Sequence, residues 1–241
     1  MDMQRILEKK NRLQREIGKI DAVTLSSYDK DFELTFTHNS TAIEGNTLTL
    51  METKVILEDG ITIGGKELRE IYEVVNHKKA YRYVKQCIAE TKPLEEHIVK
   101  DIHAILTENI MVGGIYRNQE VRISGVKHTP PSGQEMYMQI KGFYEDLKEK
   151  AENNPLELAA WTHAEFVRIH PFVDGNGRTS RLLMTYQLMA NGFLPISIAK
   201  EERLNYYLAL EEFAVNNDLQ PFLELVAELE EERLDEYLRL M

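Results

Sequence analysis

The chain has 241 residues, of which 43% are hydrophobic, and a formal net charge of −11. This length can bury one large core or two coupled ones, whereas the acidic balance argues against nucleic-acid binding, since DNA- and RNA-binding proteins usually present a basic face. Neither a run of about 18 apolar residues nor the apolar stretch of a signal peptide is present, so neither a membrane span nor secretion is expected. The single cysteine, Cys87, excludes an intramolecular disulfide and favours a reducing, cytoplasmic setting.

The first sixty residues are predicted to be helical. Many basic residues lie within the first twenty positions, but the apolar residues spaced among them favour an amphipathic helix that docks on the rest of the chain. A short acidic and aromatic stretch follows, and then a helical turn around residues 40–46. The capping box formed by Thr49 and Glu52 predicts the start of a further helix.

Helical periodicity continues to the end of the chain, so the predicted fold class is mainly α. Gly60 to Gly65 interrupts the pattern, and Asn153-Asn154-Pro155 forms a second break. The acidic segment after Asp218, with its interleaved leucines, is predicted to be a solvated amphipathic helix. The helices predicted between these points cover residues 68–89, 93–109, 135–151, 155–169 and 178–191.

The segment from His170 to Arg181 combines a base, a carboxylate, two glycines and two arginines in twelve residues. Asp174 to Gly177 has the composition of a tight turn, whose glycines can direct backbone N–H groups toward a ligand. A helix is predicted directly after the turn, so these groups lie at a helix N-terminus, where an anion is favoured. Each feature alone is more often structural, but together they predict a phosphate site.

Four side chains of this segment carry reactive groups. His170 precedes the turn, and an imidazole with a pKa near neutrality can take a proton from a hydroxyl. Asp174 offers the carboxylate oxygen that Mg²⁺ prefers when it bridges phosphates. Arg178 and Arg181 share one helix face behind the anion site, so both can bind further phosphate oxygens.

The segment resembles the signature of the Fic family, His-x-Phe-x-Asp/Glu-Gly-Asn-Gly-Arg-x-x-Arg, at every defined position. This resemblance implies a Fic-type helical bundle with a short β-hairpin flap near the active site, and transfer of AMP from ATP to a protein hydroxyl. It implies that His170 is the general base, that Asp174 holds Mg²⁺ and that Phe172 anchors the loop. The residues implied to bind the phosphates are Gly175, Asn176, Gly177, Arg178 and Arg181.

Two further segments extend the resemblance. Val121, Arg122 and Ile123 precede a glycine with the alternation of a short hairpin. An ordinary surface hairpin would give the same pattern, whereas in Fic proteins this hairpin is the flap, which binds the target segment by backbone pairing. Tyr206 and Tyr207 resemble tyrosines that flank the nucleotide in relatives, although paired tyrosines on a helix are more often core residues.

Ser40-Thr41-Ala42-Ile43-Glu44-Gly45-Asn46 is the second informative motif. Ser40 and Glu44 are four residues apart, so on a helical turn they face the same way, and Gly45 is a natural helix stop. The motif resembles the inhibitory pattern of the Fic family. The resemblance implies that Glu44 pairs with Arg181 and occupies the space of the ATP γ-phosphate.

The remaining histidines are interpreted as structural or surface residues. His163 and His170 are seven residues apart, but no third metal ligand is suitably spaced. Four more have no evident partner in the sequence: His38, His77, His97 and His103.

The sequence therefore predicts an Mg²⁺-dependent adenylyltransferase that uses ATP and modifies a Ser, Thr or Tyr hydroxyl of a target protein, which could be the chain itself. Residues 1–60 would carry the inhibitory motif, and residues 61–241 would form the catalytic core with the C-terminal helices. Two alternatives stay open. Glu44 could position water for removal of AMP, or the site could bind ATP without turnover. The presence of His170 speaks against the second, because binding alone does not need a base. No nucleic-acid or membrane partner is expected, and a homo-oligomer stays open.

Overall fold

The computed structural model describes residues 2–123, 125–152 and 154–241. Regular structure within these residues is helical, without β-strands, which confirms the predicted fold class. Short 3-10 segments cover Ile17–Lys19, Lys150–Glu152 and Lys200–Glu202, and a π-helical turn covers Val55–Asp59. The α-helices are α1 (Met3–Glu16), α2 (Ala22–Ala42), α3 (Leu50–Lys54), α4 (Leu68–Ala89), α5 (Glu96–Leu106), α6 (Gly133–Glu149), α7 (Pro155–Ile169), α8 (Asn176–Ala190), α9 (Arg203–Asn216) and α10 (Gln220–Leu238).

Local capping signals account for most helix boundaries. The predicted helices at 68–89 and 155–169 match α4 and α7 at both ends. The Asn154 side chain caps α7 by accepting the N–H of Leu156 at 2.9 Å, and Pro155 stands in the first turn, where its missing N–H costs nothing. The break predicted at 153–155 lies partly outside the described residues, because Asn153 is not among them.

The predicted separation of an acidic stretch from the helix that carries Ser40 is wrong. Instead α2 runs without interruption from Ala22 to Ala42. The Asp21 side chain starts it by accepting the N–H groups of Val23 and Thr24 at 3.0 and 2.9 Å. The acidic and aromatic residues that follow this cap are therefore helical as well.

The predicted β-hairpin flap is not seen among the described residues. Residues 121–123 form irregular chain, although Val121 and Ile123 are half-buried and Arg122 is exposed, as the alternation predicted. A two-stranded hairpin alone is marginal in water, and two apolar residues do not specify a partner strand. The C-terminal side of this segment is held instead by helices: the Lys127 N–H donates to Glu211 at 2.6 Å, and His128 Nε2 donates to the Arg168 carbonyl at 2.8 Å.

Helices α7 and α8 pack along each other at the centre of the molecule. Nearly every residue of α8 from Asn176 to Leu188 is buried, as expected for a helix enclosed on all sides. Helices α1, α9 and α10 pack on one side of this pair, and α2, α4, α5 and α6 pack on the other. Large core residues of the first side are Ile6, Leu188, Phe222 and Leu234, and those of the second are Phe36, Val84, Ile102, Phe166, Phe172 and Leu182.

The predicted N-terminal docking helix is confirmed. α1 buries Ile6 and Leu13 in the core, and Arg5 and Lys9 form ion pairs with Glu231 of α10 at 2.6 and 2.7 Å. Exposed ion pairs contribute little, so the apolar burial carries most of this contact. The division of the chain at residue 60 stays a prediction, and residues from both of its sides share the same core clusters. None of the described helices has the length and apolar composition of a membrane span.

Glu230 of α10 is fully buried and supports a prediction about stability. Its Oε1 accepts the Leu194 N–H at 2.9 Å, whereas Oε2 has no hydrogen-bond partner among the described residues. Burial raises the pKa of Glu230 well above its ordinary value. The folded state therefore binds this proton more tightly than the unfolded state, and the group weakens stability as pH rises above the ordinary glutamate pKa.

We expect Glu230→Gln to be more stable than the wild type at pH 8, because the amide keeps the acceptor for Leu194 and carries no charge. The difference should shrink as pH falls toward 5. Urea unfolding at both pH values measures it. A variant that is less stable than the wild type at pH 8 would contradict the conclusion that the charged Glu230 carboxylate destabilises the folded state.

Candidate active site

The residues of the His170–Arg181 motif extend from the end of one central helix, α7, through a loop into the start of the next, α8. His170 closes α7 in the left-handed conformation, with φ of 53°, and its N–H donates to the Phe166 carbonyl at 3.0 Å. A non-glycine residue in this region costs about 1–2 kcal/mol, so the surrounding contacts must hold it there. Gly175 adopts φ of 79° and turns the chain into α8 without such a cost.

Two side chains fix the shape of this loop. The Asn176 side chain accepts the Phe172 N–H at 2.9 Å and donates to the Phe172 carbonyl at 2.8 Å. Arg117 is 1% exposed and donates to the carbonyls of His170, Gln119 and Pro131, each at 2.7 Å. The Asn176 side chain is thus engaged by the loop itself, and Arg117 joins the segment before residues 121–123 to the base of the motif.

The start of α8 offers unpaired donors. No side chain caps its first turn within the described residues, so the N–H groups of that turn face the space before the helix. Arg178 is 1% exposed, and its Nε and Nη1 atoms lack hydrogen-bond partners there. Its carboxylate neighbours are Glu73, at 3.3 Å, and Asp174, at 3.5 Å. Buried donors without acceptors are costly, which suits a site that is completed by an anionic ligand.

Glu44 and Arg181 lie together in the structure, and Ser40 contacts the same guanidinium, which was not predicted. Arg181 Nη2 lies 2.8 Å from Glu44 Oε1 and 2.7 Å from the Ser40 carbonyl, and Nε donates to Ser40 Oγ at 2.9 Å. Nη1 donates to the Tyr206 hydroxyl at 3.2 Å. The arginine side chain is 1% exposed and that of Glu44 is 32% exposed, so a buried cation pairs with a carboxylate at the edge of solvent.

Glu44 also lies against the first turn of α8. A β-carbon at position 177 would collide with Glu44 Oε1 and would lie 3.2 Å from Arg181 Nη1. Gly177 is therefore needed for close approach of the Glu44 carboxylate, rather than for a positive φ. The carboxylate occupies the positive end of the α8 dipole, where an anion is most favoured.

These residues border a cavity of about 650 Å³. Its wall includes His170, Gly177, Glu44 and both predicted tyrosines, Tyr206 and Tyr207. Ile123 also lines the cavity, whereas Val121 and Arg122 do not. Tyr206 is 1% exposed and its hydroxyl bonds His163 Nε2 at 2.9 Å, and the Tyr207 hydroxyl donates to the Ile43 carbonyl at 3.2 Å.

His170 is neutral in this environment. Burial lowers its pKa to about 4, and the charge of Arg117 acts in the same direction. Its Nδ1 atom is buried without a hydrogen-bond partner among the described residues. The imidazole is therefore unprotonated at neutral pH and able to accept a proton from a group that enters the cavity.

Asp174 is the predicted metal ligand, and in this structure arginines hold its carboxylate. Arg69 pairs with one oxygen, and Arg178 lies near the other. Burial alone would raise the pKa of Asp174, but the charges of Arg178 and Arg69 and the Gly175 N–H outweigh it, and the pKa is lowered. The described residues contain no cluster of three His, Cys, Asp or Glu side chains that could hold a metal. One partly exposed carboxylate beside an anion site fits Mg²⁺ bound mainly by phosphates.

Several residues that shape the site carry weak signals in the sequence. Arg117 stands alone in the sequence, and nothing around it indicates a buried position. His103 was interpreted as structural or surface, yet its Nε2 lies 2.9 Å from the Asp174 carbonyl and its ring stacks on Phe172. Glu73 links Asn46, which follows the turn that carries Glu44, to Arg178. Each of these contacts joins segments far apart in sequence.

Comparison with known proteins decides the family. The sequence profile of the Fic/DOC family matches residues 93–188, which include the whole motif. The structure of Fic-1 from C. elegans is 30% identical, with a TM-score of 0.86 over 99% of this chain and 71% of that one. The chain belongs to the Fic/DOC family.

Other Fic proteins agree over most of the chain. The proteins named protein adenylyltransferase Fic from Drosophila grimshawi and Drosophila persimilis are 34% identical over 205 residues, which is 83% of this chain. The chain spans about two fifths of the length of these relatives, 42% and 40% respectively. A Fic-domain-containing signaling protein from Bacteroides thetaiotaomicron has a TM-score of 0.89 and 26% identity, with coverage of 99% of this chain and 96% of that one.

The approach of Glu44 to Gly177 in this Fic domain can be tested by a double-mutant cycle. We expect Gly177→Ala to destabilise the protein more in the wild type than in the Glu44→Ala background, by about 0.5–3 kcal/mol, because the added methyl group displaces the carboxylate only where it is present. Chemical unfolding of the four proteins measures this coupling.

Gly142→Ala is the matched control, since a β-carbon there meets nothing within 4 Å and the residue lies inside α6. It should have the same effect in both backgrounds. Equal effects of Gly177→Ala in the two backgrounds would mean that Glu44 does not lie against α8.

Proposed function

We propose that this Fic-family chain transfers AMP from ATP to a Ser, Thr or Tyr hydroxyl of a protein, and that Glu44 holds it in an inhibited state. The observation that carries the proposal is the common cavity wall formed by a neutral His170 and the start of α8 at Gly177. A base and an anion site that face one space suit attack of a hydroxyl on a phosphate. Similarity to proteins named protein adenylyltransferase Fic supports the same reaction class.

His170 would act as the general base. The target hydroxyl oxygen attacks the α-phosphorus of ATP, its proton passes to the imidazole, and the bond between the α-phosphorus and the bridging oxygen breaks as pyrophosphate leaves. The lowered pKa keeps the imidazole free of a proton before the attack. In the free enzyme, loss of kcat/KM on acidification should therefore lie below the ordinary histidine pKa of about 6.5.

The phosphates would bind at the N-terminus of α8. The N–H groups of its first turn are uncapped, and within the described chain the buried Nε and Nη1 atoms of Arg178 form no hydrogen bond, although Nη1 lies 3.3 Å from Glu73. Arg181 would bind the polyphosphate tail once Glu44 has left. Asn176 would contribute by holding the turn, because its side chain is paired with the backbone of Phe172.

Asp174 would hold Mg²⁺ through its carboxylate, after its pairs with Arg69 and Arg178 have loosened. A bound divalent cation supplies charge neutralisation at the pyrophosphate leaving group. The chain's own part is to orient that carboxylate beside the anion turn through the fixed conformation of Gly175.

Inhibition by Glu44 would follow from direct competition. Its carboxylate occupies both the Arg181 guanidinium and the start of α8, which are the two features that favour the γ-phosphate. A carboxylate in place also repels the incoming phosphate. Arg181 keeps an anionic partner in either state, so exchange of Glu44 for ATP does not strand a buried charge.

The target protein would bind along residues 121–123. This segment is not paired with another strand in the described chain, so its backbone can pair with an extended peptide. Ile123 lies on the cavity wall, which places a peptide bound there beside His170. Self-modification is the simplest case, because ATP is then the only added substrate.

Removal of AMP is the second candidate. Glu44 lines the cavity with His170 and is 32% exposed, so its carboxylate could orient a water molecule toward a phosphodiester. In this reading Glu44 is needed for hydrolysis, whereas in the first reading it only blocks transfer.

We expect Glu44→Gly to raise self-adenylylation well above that of the wild type, because Arg181 then needs an anion and ATP supplies one. Adding His170→Ala should reduce transfer about 10²–10⁴-fold while ATP still binds. Intact-protein mass spectrometry after incubation with ATP and Mg²⁺ reports the adenylyl mass directly, and Glu58→Gly, at an exposed glutamate outside the site, is the control.

Unmodified protein in both Glu44→Gly and the wild type, although ATP binds, would overturn the transfer reaction. Purified adenylylated protein, incubated without ATP, separates transfer from removal. The wild type would strip AMP only if removal is its activity, and Glu44→Gly would then be inactive in this second assay.

A further inference from the structure

His103 is a buried imidazole on α5 that bridges two segments of the site. It is 1% exposed. Its Nδ1 accepts the Gly114 N–H at 2.9 Å, and its Nε2 lies 2.9 Å from the carbonyl oxygen of Asp174. Since an N–H can only donate, Nδ1 must be the unprotonated nitrogen, and Nε2 carries the hydrogen that it donates to Asp174. One tautomer therefore satisfies both partners.

The ring is also held by packing. It stacks on Phe172 with a centroid distance of 3.6 Å and an interplanar angle of 9°. On the side of Gly175, a β-carbon would lie 3.4 Å from His103 Nε2, so the turn lies directly on the ring. The imidazole cannot rotate away from the Asp174 carbonyl without losing both contacts.

The bond to Asp174 controls the first amide of the anion turn. The peptide between Asp174 and Gly175 is planar and trans, so its carbonyl and its N–H point in opposite directions. Fixing the carbonyl on His103 thus directs the Gly175 N–H to the other side, where it donates to Asp174 Oδ1 at 2.6 Å. The plane of this peptide also contains the Asp174 Cα atom, so it fixes the point from which the Asp174 side chain extends.

We propose that His103 is a positioning residue: by holding the Asp174 carbonyl, it keeps the Gly175 N–H on Asp174 Oδ1 and so orients the Asp174 carboxylate beside the proposed phosphate site. The inference rests on the proposed function of the site. The Gly114 N–H contributes by fixing the tautomer, and the contact with Asp174 orients the turn.

Three substitutions of His103 separate the bond to Asp174, the bond from Gly114 and the stacking on Phe172. His103→Gln places an amide N–H near the position of Nε2 and can keep the bond to Asp174. His103→Asn places an oxygen near the position of Nδ1, and so it keeps only the bond from Gly114. His103→Phe keeps the stacked ring and loses both bonds. His77→Gln is the control, since His77 is a buried imidazole on α4 whose Nδ1 lies 3.2 Å from Thr37 Oγ1 and which forms no hydrogen bond to the loop among the described residues.

The variants are compared in the Glu44→Gly background, where the nucleotide site is open. Calorimetry with ATP and Mg²⁺ gives the affinity, self-adenylylation gives kcat and KM, and urea unfolding gives stability. We expect His103→Gln and the His77→Gln control to keep an ATP affinity and a kcat close to those of the parent. His103→Asn and His103→Phe should lose about 10–100-fold in ATP affinity or kcat, the range typical of residues that orient metal ligands.

Equal losses in His103→Gln and His103→Asn, or losses that simply follow reduced stability, would overturn the proposal. Equal losses in the His77→Gln control would do the same. A parent protein that binds ATP but transfers no AMP would refute the proposed function instead, and the ATP affinities of the three variants would still test the role of His103.

Discussion

A guanidinium buried at the centre of a helical bundle must have an anion beside it. Arg181 lies on α8, which is enclosed on nearly all sides, and its side chain is 1% exposed. An unpaired charge at this depth would cost several kcal/mol, so a carboxylate or a phosphate beside Arg181 stabilises the fold. Glu44 supplies the carboxylate at this position, and the arrangement of the site depends on its pairing with Arg181.

The requirement for an anion explains why the proposed inhibition and the proposed phosphate binding share one place. The start of α8 needs an acceptor for its uncapped N–H groups, and Arg181 needs a negative charge. Glu44 supplies the charge for Arg181 and lies against the start of α8, from a turn at the end of α2 where its side chain stays 32% exposed. A partly exposed side chain on a turn can move away more readily than one inside a helix, so the contact can hold the resting state and still be exchanged for a ligand.

The local parts of the site could be predicted from the sequence. Helix α7 has its cap and its first-turn proline next to each other, and Gly175 directly precedes α8, so both boundaries depend on neighbouring residues. The pairing of Glu44 with Arg181 came from resemblance to a family pattern, because no local rule joins positions 137 residues apart.

Other parts depend on tertiary packing and have no local signal. Arg117 and His103 bond backbone carbonyls of the motif, and an isolated arginine or histidine looks the same in a sequence whether or not such a carbonyl is near. The hairpin was expected from the alternation of Val121 and Ile123. That alternation is present in the burial of the two side chains, but it does not supply a partner strand.

The central claim is that Glu44 takes the place of the terminal phosphate of ATP. Calorimetry with AMP, ADP and ATP, each titrated into the wild type and into Glu44→Gly in the presence of Mg²⁺, tests it most directly. If the claim holds, the substitution increases the affinity for ATP most, for ADP less and for AMP hardly at all. An equal gain for the three nucleotides, or no gain for ATP, would contradict it.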